Sequence, residues 1–206
     1  MDYIDILKNG LGVLFFKEDS VKNLAEEPEA TKYGLASLVI TGLIISVIGL
    51  IILIVNYNSL NLESFETGSF ILIILPAFFI WCVIFPLVLL IPISVFHLLA
   101  KYLGRGHASL AQYFRVAANA CIIPVALMFL DLTMLNPDCF NSNTCPPNLS
   151  LLTDLKEGII LLWLMLVNIF IFKKLYGLSY LKAVILGSIP FLFLLLLLAD
   201  KIQHLG

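Results

Sequence analysis

The residues whose types could do chemistry are few, and most stand in apolar company. Asn119 and Asp131 lie towards opposite ends of one hydrophobic stretch, and Asn168 lies deep in another. A carboxylate inside a membrane is by default an ion or proton site. Close to an interface, however, solvation or a bond to a neighbouring helix is the ordinary outcome. An intramembrane amide more often joins two helices than binds a substrate. Asp131, Asn119 and Asn168 are thus the intramembrane polar set, with helix bonding as their expected work. His97 is expected to be solvated at an interface beside Lys101, and with His107, Cys82 and Cys121 it makes no metal-ligand spacing.

The chain has no GxSxG, HExxH or CxxC motif and no glycine-rich phosphate loop. The GRGH run at 104–107 lacks both the strand before and the Lys-Ser/Thr after that a phosphate loop needs. No catalytic residue, metal ligand or cofactor is expected, and an enzyme is the least favoured class.

The second set of reactive groups is cationic. Lys101, Arg105 and Arg115 surround one short turn, and Lys173, Lys174 and Lys182 surround another. Basic side chains at a membrane boundary attract anionic headgroups or acidic partner surfaces, so these six are the candidate lipid or partner contacts. The net charge of −2 and the lack of a basic tract give no reason to expect nucleic acid.

These groups need positioning elements, and composition says what those are. Of 206 residues, 61% are hydrophobic and 13% are charged, and the mean hydropathy is +1.04. So few charges cannot cover the surface of a soluble domain, so the chain is expected to use lipid as solvent. The fold expected is all-α: a polytopic membrane bundle of five transmembrane helices at about 35–55, 70–100, 116–135, 158–176 and 183–199. The first run is uncharged and carries small residues at Gly42, Ser46 and Gly49. The second is interrupted by Pro76, Pro86 and Pro92 and is expected to kink. Gly177 should stop the fourth span. No secretory signal is recognisable, so the first span is expected to stay in the mature protein.

Residues 1–34 form a polar N-terminal segment before the 35–206 membrane domain. Ile4, Leu7, Leu11, Leu14 and Phe15 recur at helical spacing. Two readings stand for them: a helix packed on the bundle's mouth, or an interfacial helix lying among headgroups. Residues 17–34 read as a solvated connector.

Between spans two and three runs FHLLAKYLGRGHASLAQYFRVAANACIIP, from Phe96 to Pro124. Gly104 and Gly106 can end a helix and redirect the chain. Ser109 followed by Gln112 fits a capping box, which starts the next helix. Ten of the twelve Lys and Arg residues fall on the side of the N-terminal segment, this turn and the 173–182 loop; Lys156 and Lys201 fall on the other. The positive-inside rule therefore places the N-terminus in the cytoplasm and the C-terminus outside. Cys139 and Cys145 then lie in an outer loop, where a disulfide between them is expected over two free thiols. The Asn148-Leu149-Ser150 sequon is on the same permitted side.

The Phe96–Pro124 segment resembles the central segment of prokaryotic Yip1-domain membrane proteins. LFFKEDSVKNLAEEPEATKYGLASLVI is similar to their amphipathic tail and first span, and Trp163 followed by KKLYGLSYLKAVILGSIP to their last two spans. The resemblance implies a five-span bundle with a cytoplasmic N-terminus and supplies no catalytic residues. The long N-terminal region and DLYGP-type motif of the eukaryotic relatives are missing, so small-GTPase binding does not carry over.

The function expected is that of a non-enzymatic integral membrane protein in a prokaryotic cell membrane. It would organise membrane lipids, other membrane proteins or copies of itself through its basic cytoplasmic face. The alternative is a small transporter, channel or lipid scramblase using the proline-broken second span and the polar residues of spans three and four.

Overall fold

A computed structural model of the chain describes residues 1–55, 84, 87–129 and 147–203. The described residues form seven helices and no strands, in keeping with an all-α chain. Two stretches among them are long and apolar enough to cross a membrane, Ala30–Ile48 and Leu152–Leu175. Leu87–Leu103 and Tyr180–Ile189 are shorter apolar stretches. Asp131, Cys139, Cys145 and most of the expected second span lie outside the described residues.

Helix α1 (Tyr3–Leu14) begins on Asp2, whose carboxylate accepts the Asp5 N–H at 2.8 Å. Its sequence makes three faces. Ile6, Gly10, Val13 and Leu14 are buried, Ile4, Leu7, Leu11 and Phe15 form an exposed apolar stripe, and Asp5, Lys8 and Asn9 take the third sector. The helix closes in a Schellman turn, with Phe16 N–H on Val13 C=O at 3.0 Å and Lys17 N–H on Gly12 C=O at 2.9 Å. Phe16 takes the left-handed position, at φ 59°, where glycine is usual.

Residues 17–34 do not form a solvated connector. They hold α2 (Glu18–Glu26) and the first turn of α3 (Ala30–Val55). Val21, Leu24 and Ala25 recur at i, i+3 and i+4 and are buried, because α2 packs on the helices that follow. The first long helix accordingly begins at Ala30 rather than Leu35. At the start of the chain the Met1 ammonium meets Glu27 Oε2 at 3.0 Å. This hydrogen bond raises the pKa of the ammonium and lowers that of the Glu27 carboxyl.

Helix α4 (Leu87–Leu103) contains Pro92 and ends in a π turn over Leu99–Leu103, with Gly104 N–H on Leu99 C=O at 3.1 Å. Helix α5 (Leu110–Phe129) starts on the expected capping box. Ser109 N–H donates to Gln112 Oε1 at 2.9 Å, and Gln112 N–H donates to Ser109 Oγ at 3.2 Å.

Helix α6 (Pro147–Leu175) starts well before the expected Gly158, so part of the segment read as an outer loop is helical. Pro147 is its first residue, where the fixed φ suits a helix start and the missing N–H costs nothing. The Asn148 sequon thus falls in the first turn. Gly177, at φ 66°, follows the end of α6 as expected. Helix α7 (Tyr180–Gln203) completes the described chain.

Helix α5 is the hub, touching α1, α2, α3 and α6. Its approach to α3 is close because Gly34 faces Ala118: a Cβ on Gly34 would lie 3.1 Å from that methyl. Gly10 of α1 sits directly on the Asn119 carbonyl, and Gly187 of α7 fits against Ile169 of α6.

Candidate functional site

Two short turns lie together at one end of the helices, 104–109 between α4 and α5 and 176–179 between α6 and α7. Both glycines of the first turn serve this packing. A Cβ on Gly104 would lie 2.9 Å from Leu178 Cδ1, and one on Gly106 would lie 2.6 Å from Tyr176 Cδ1. Gly104 keeps a helical conformation, with φ −74° and ψ −23°. The residue that redirects the chain through the left-handed region is Arg105, at φ 59°, not either glycine.

Behind the turns is an aromatic core with two hydrogen bonds. His97 Nδ1 and the Tyr176 hydroxyl lie 2.7 Å apart, one donating to the other according to the ring's tautomer. Tyr113 Oη donates to Asn168 Oδ1 at 2.7 Å. Phe172 packs against both tyrosines, its ring centroid 6.0 Å from Tyr113 and 5.6 Å from Tyr176, and the two tyrosine rings lie 5.8 Å apart. His97 is buried, not solvated as its neighbour Lys101 led us to expect. The reason is that α4 turns its His97 side towards α6, while Lys101, one turn on, stays exposed.

The six candidate cations separate into two kinds. Arg115 is half-buried: its Nε donates to Thr31 Oγ1 at 2.9 Å, and a terminal nitrogen donates to Ala25 C=O at 2.9 Å. It closes the end of α2 onto α5 and is not available at the surface as expected. Lys174 is held by Glu18 at the start of α2. Lys101, Arg105, Lys173 and Lys182 are exposed and have no carboxylate partner among the described residues. Lys182 Nζ stands 3.5 Å from Gly104 C=O, and Lys173 Nζ lies 5.3 Å from the centre of the Tyr180 ring.

Asn119 and Asn168 are held separately. Asn119 Nδ2 donates to Ala30 C=O at 3.0 Å and Arg115 C=O at 2.7 Å, tying α5 to the start of α3. Asn168 accepts from Tyr113 and lies 3.5 Å from Gly187 C=O on α7. Asn119 also borders a groove of about 250 Å³ between α1, α3 and α5, lined mainly by Leu7, Leu11, Ile40, Ile44 and Leu127. No cluster of three or more His, Cys, Asp or Glu able to hold a metal occurs among the described residues.

Compared with family models, with curated proteins and with solved structures, the chain matches none. The geometry therefore carries the functional argument.

Sequence reasoning missed Tyr113 and Tyr176. The signal was present: a tyrosine in an apolar run needs a partner for its hydroxyl when buried. Finding which partner required knowing which helices are neighbours.

Proposed function

We propose that this chain is a non-enzymatic, multi-pass integral membrane protein similar to the Yip1-domain type. In this reading five spans cross the cell membrane of a prokaryote with the N-terminus inside, and the protein organises the cytoplasmic leaflet. The observation that carries the reading is helix α1. Its buried face is locked on α5 through Gly10, while Ile4, Leu7, Leu11 and Phe15 are left exposed in one stripe. In water such a stripe would be costly; in the boundary between headgroups and acyl chains it is buried, with Lys8 beside it reaching back to the surface. A docked wedge of this kind perturbs lipid packing on one leaflet.

The test is reconstitution of the full chain into vesicles, followed by cryo-electron microscopy of vesicle shape. Protein-bearing vesicles should be smaller or tubulated relative to protein-free ones. The variant Ile4→Ser/Phe15→Ser, which leaves the α5 contact intact, should revert towards protein-free shape. Unaltered vesicles with demonstrably folded wild-type protein would sink the reading. Ion or fluorescent-lipid flux in the same vesicles, lost in Asn168→Ala, would establish the small transporter, channel or scramblase alternative.

A further inference from the structure

The two packed turns place together groups that neither the α1 wedge nor the aromatic core uses. We propose that the α4–α5 and α6–α7 turns form one binding site for the headgroup of an anionic phospholipid. Lys101, Arg105 and Lys182 are its cationic groups. The inference rests on the membrane reading above and names a ligand for the basic face.

Charge complementarity carries the argument. Neither the 97–129 stretch nor the 158–199 stretch contains Asp or Glu, so no carboxylate from these turns neutralises the cations. Glu18 of α2, which reaches the end of α6, is held by Lys174. The packing of Gly104 on Leu178 and of Gly106 on Tyr176 brings the turns together, and Lys182 Nζ reaches to 3.5 Å from Gly104 C=O. Lys182, at the start of α7, therefore reaches the backbone of the first turn, at the residue before Arg105. Arg105 is held at φ 59°, which sets it on the turn itself rather than along either helix.

The surroundings favour a lipid as the source of the anion over a soluble one. Tyr102 and Leu103 are 69% and 65% exposed, and Tyr180 and Leu181 are 67% and 70% exposed. Each turn is thus flanked by a tyrosine and a leucine next to a lysine: Lys101, Tyr102 and Leu103 at the end of α4, and Tyr180, Leu181 and Lys182 at the start of α7. Tyrosine settles at headgroup depth, leucine in the acyl region, and Lys or Arg at the phosphate, so the set spans the depths of one lipid molecule.

The experiment is native mass spectrometry of the full chain in neutral detergent, titrated with phosphatidylglycerol and, separately, phosphatidylcholine. Wild type should retain phosphatidylglycerol preferentially, and high salt should erase the preference. Lys101→Gln/Arg105→Gln/Lys182→Gln should lose it, by about five-fold per cation removed. Lys22→Gln/Lys32→Gln, which removes two exposed cations from α2 and the start of α3, should keep it. If the triple variant fails to fold, Arg105→Gln alone and the salt series decide. Equal retention of both lipids by wild type would overturn the proposal, as would an equal loss in Lys22→Gln/Lys32→Gln. Either result would leave vesicle remodelling by α1 standing. Extraction of the chain from membranes at alkaline pH would instead remove the membrane reading itself.

Discussion

The hydroxyl of Tyr113, near the start of α5, donates to the side-chain oxygen of Asn168 on α6 at 2.7 Å, and both residues are buried. The bond joins two helices that the chain separates by 55 positions. In an apolar setting this pairing satisfies a phenol donor and an amide acceptor that would be costly to bury alone. Asn168 also faces Gly187 C=O, so one side chain links α5, α6 and α7.

Tyr113→Phe leaves the Asn168 oxygen without its donor. In membrane helices such bonds average about 0.6 kcal/mol and reach roughly 1.7. The buried position puts this one towards the upper figure. Thermal or denaturant unfolding in detergent should show that loss, and Asn168→Leu should cost less when added to Tyr113→Phe than alone. Full additivity of the two substitutions would show that the bond carries no coupling energy.

Gly10 and Gly158 separate packing from helix propensity. A Cβ at Gly10 meets the Asn119 carbonyl, which is backbone and cannot swing away, whereas a Cβ at Gly158 meets nothing within 4 Å. Gly10→Ala should loosen α1 from α5, seen as faster amide exchange across residues 3–14. Gly158→Ala should stabilise the chain by about 0.5–1 kcal/mol, the propensity difference alone. The same sign for both would show that α1 is not tightly seated.

Phe16 combines a cost and a gain. Its left-handed backbone costs about 1–3 kcal/mol for a non-glycine residue. Its ring lies 5.3 Å from Trp163 and 5.5 Å from Phe170, two pairs worth about 0.5–1.5 kcal/mol each beyond burial. Phe16→Ala keeps the strain and loses the rings, so it should lower the melting temperature most. Phe16→Gly loses the rings but relieves the strain, and should be milder by about 1 kcal/mol. A glycine variant less stable than the alanine one would refute this division.

Much of the local structure is written in local residues. Ser109 and Gln112 sit three apart and cap α5 by bonds within one turn, and Gly177 takes the left-handed position after α6 because it has no side chain to clash. Pro147 could have been read in the same way as a helix start. These features depend on neighbours in the chain, so residue type and spacing are sufficient to see them.

Only tertiary structure decided which groups are available. Arg115, Lys174 and Lys101 look alike as cations near apolar helices. Arg115 closes onto Ala25 and Thr31, Lys174 meets Glu18, and Lys101 stays exposed, because α2 folds across α5 and α6 and not over the α4 turn. His97 is buried for a similar reason: Tyr176, 79 positions away, offers it a hydroxyl. Gly104 and Gly106 were legible as turn residues, yet their work is to admit Leu178 and Tyr176 while Arg105 turns the chain. Hydropathy and capping act over a few residues and determine which segments become helices. Charge pairing and close packing depend on which distant segments meet, and that is settled by the fit of whole helix faces.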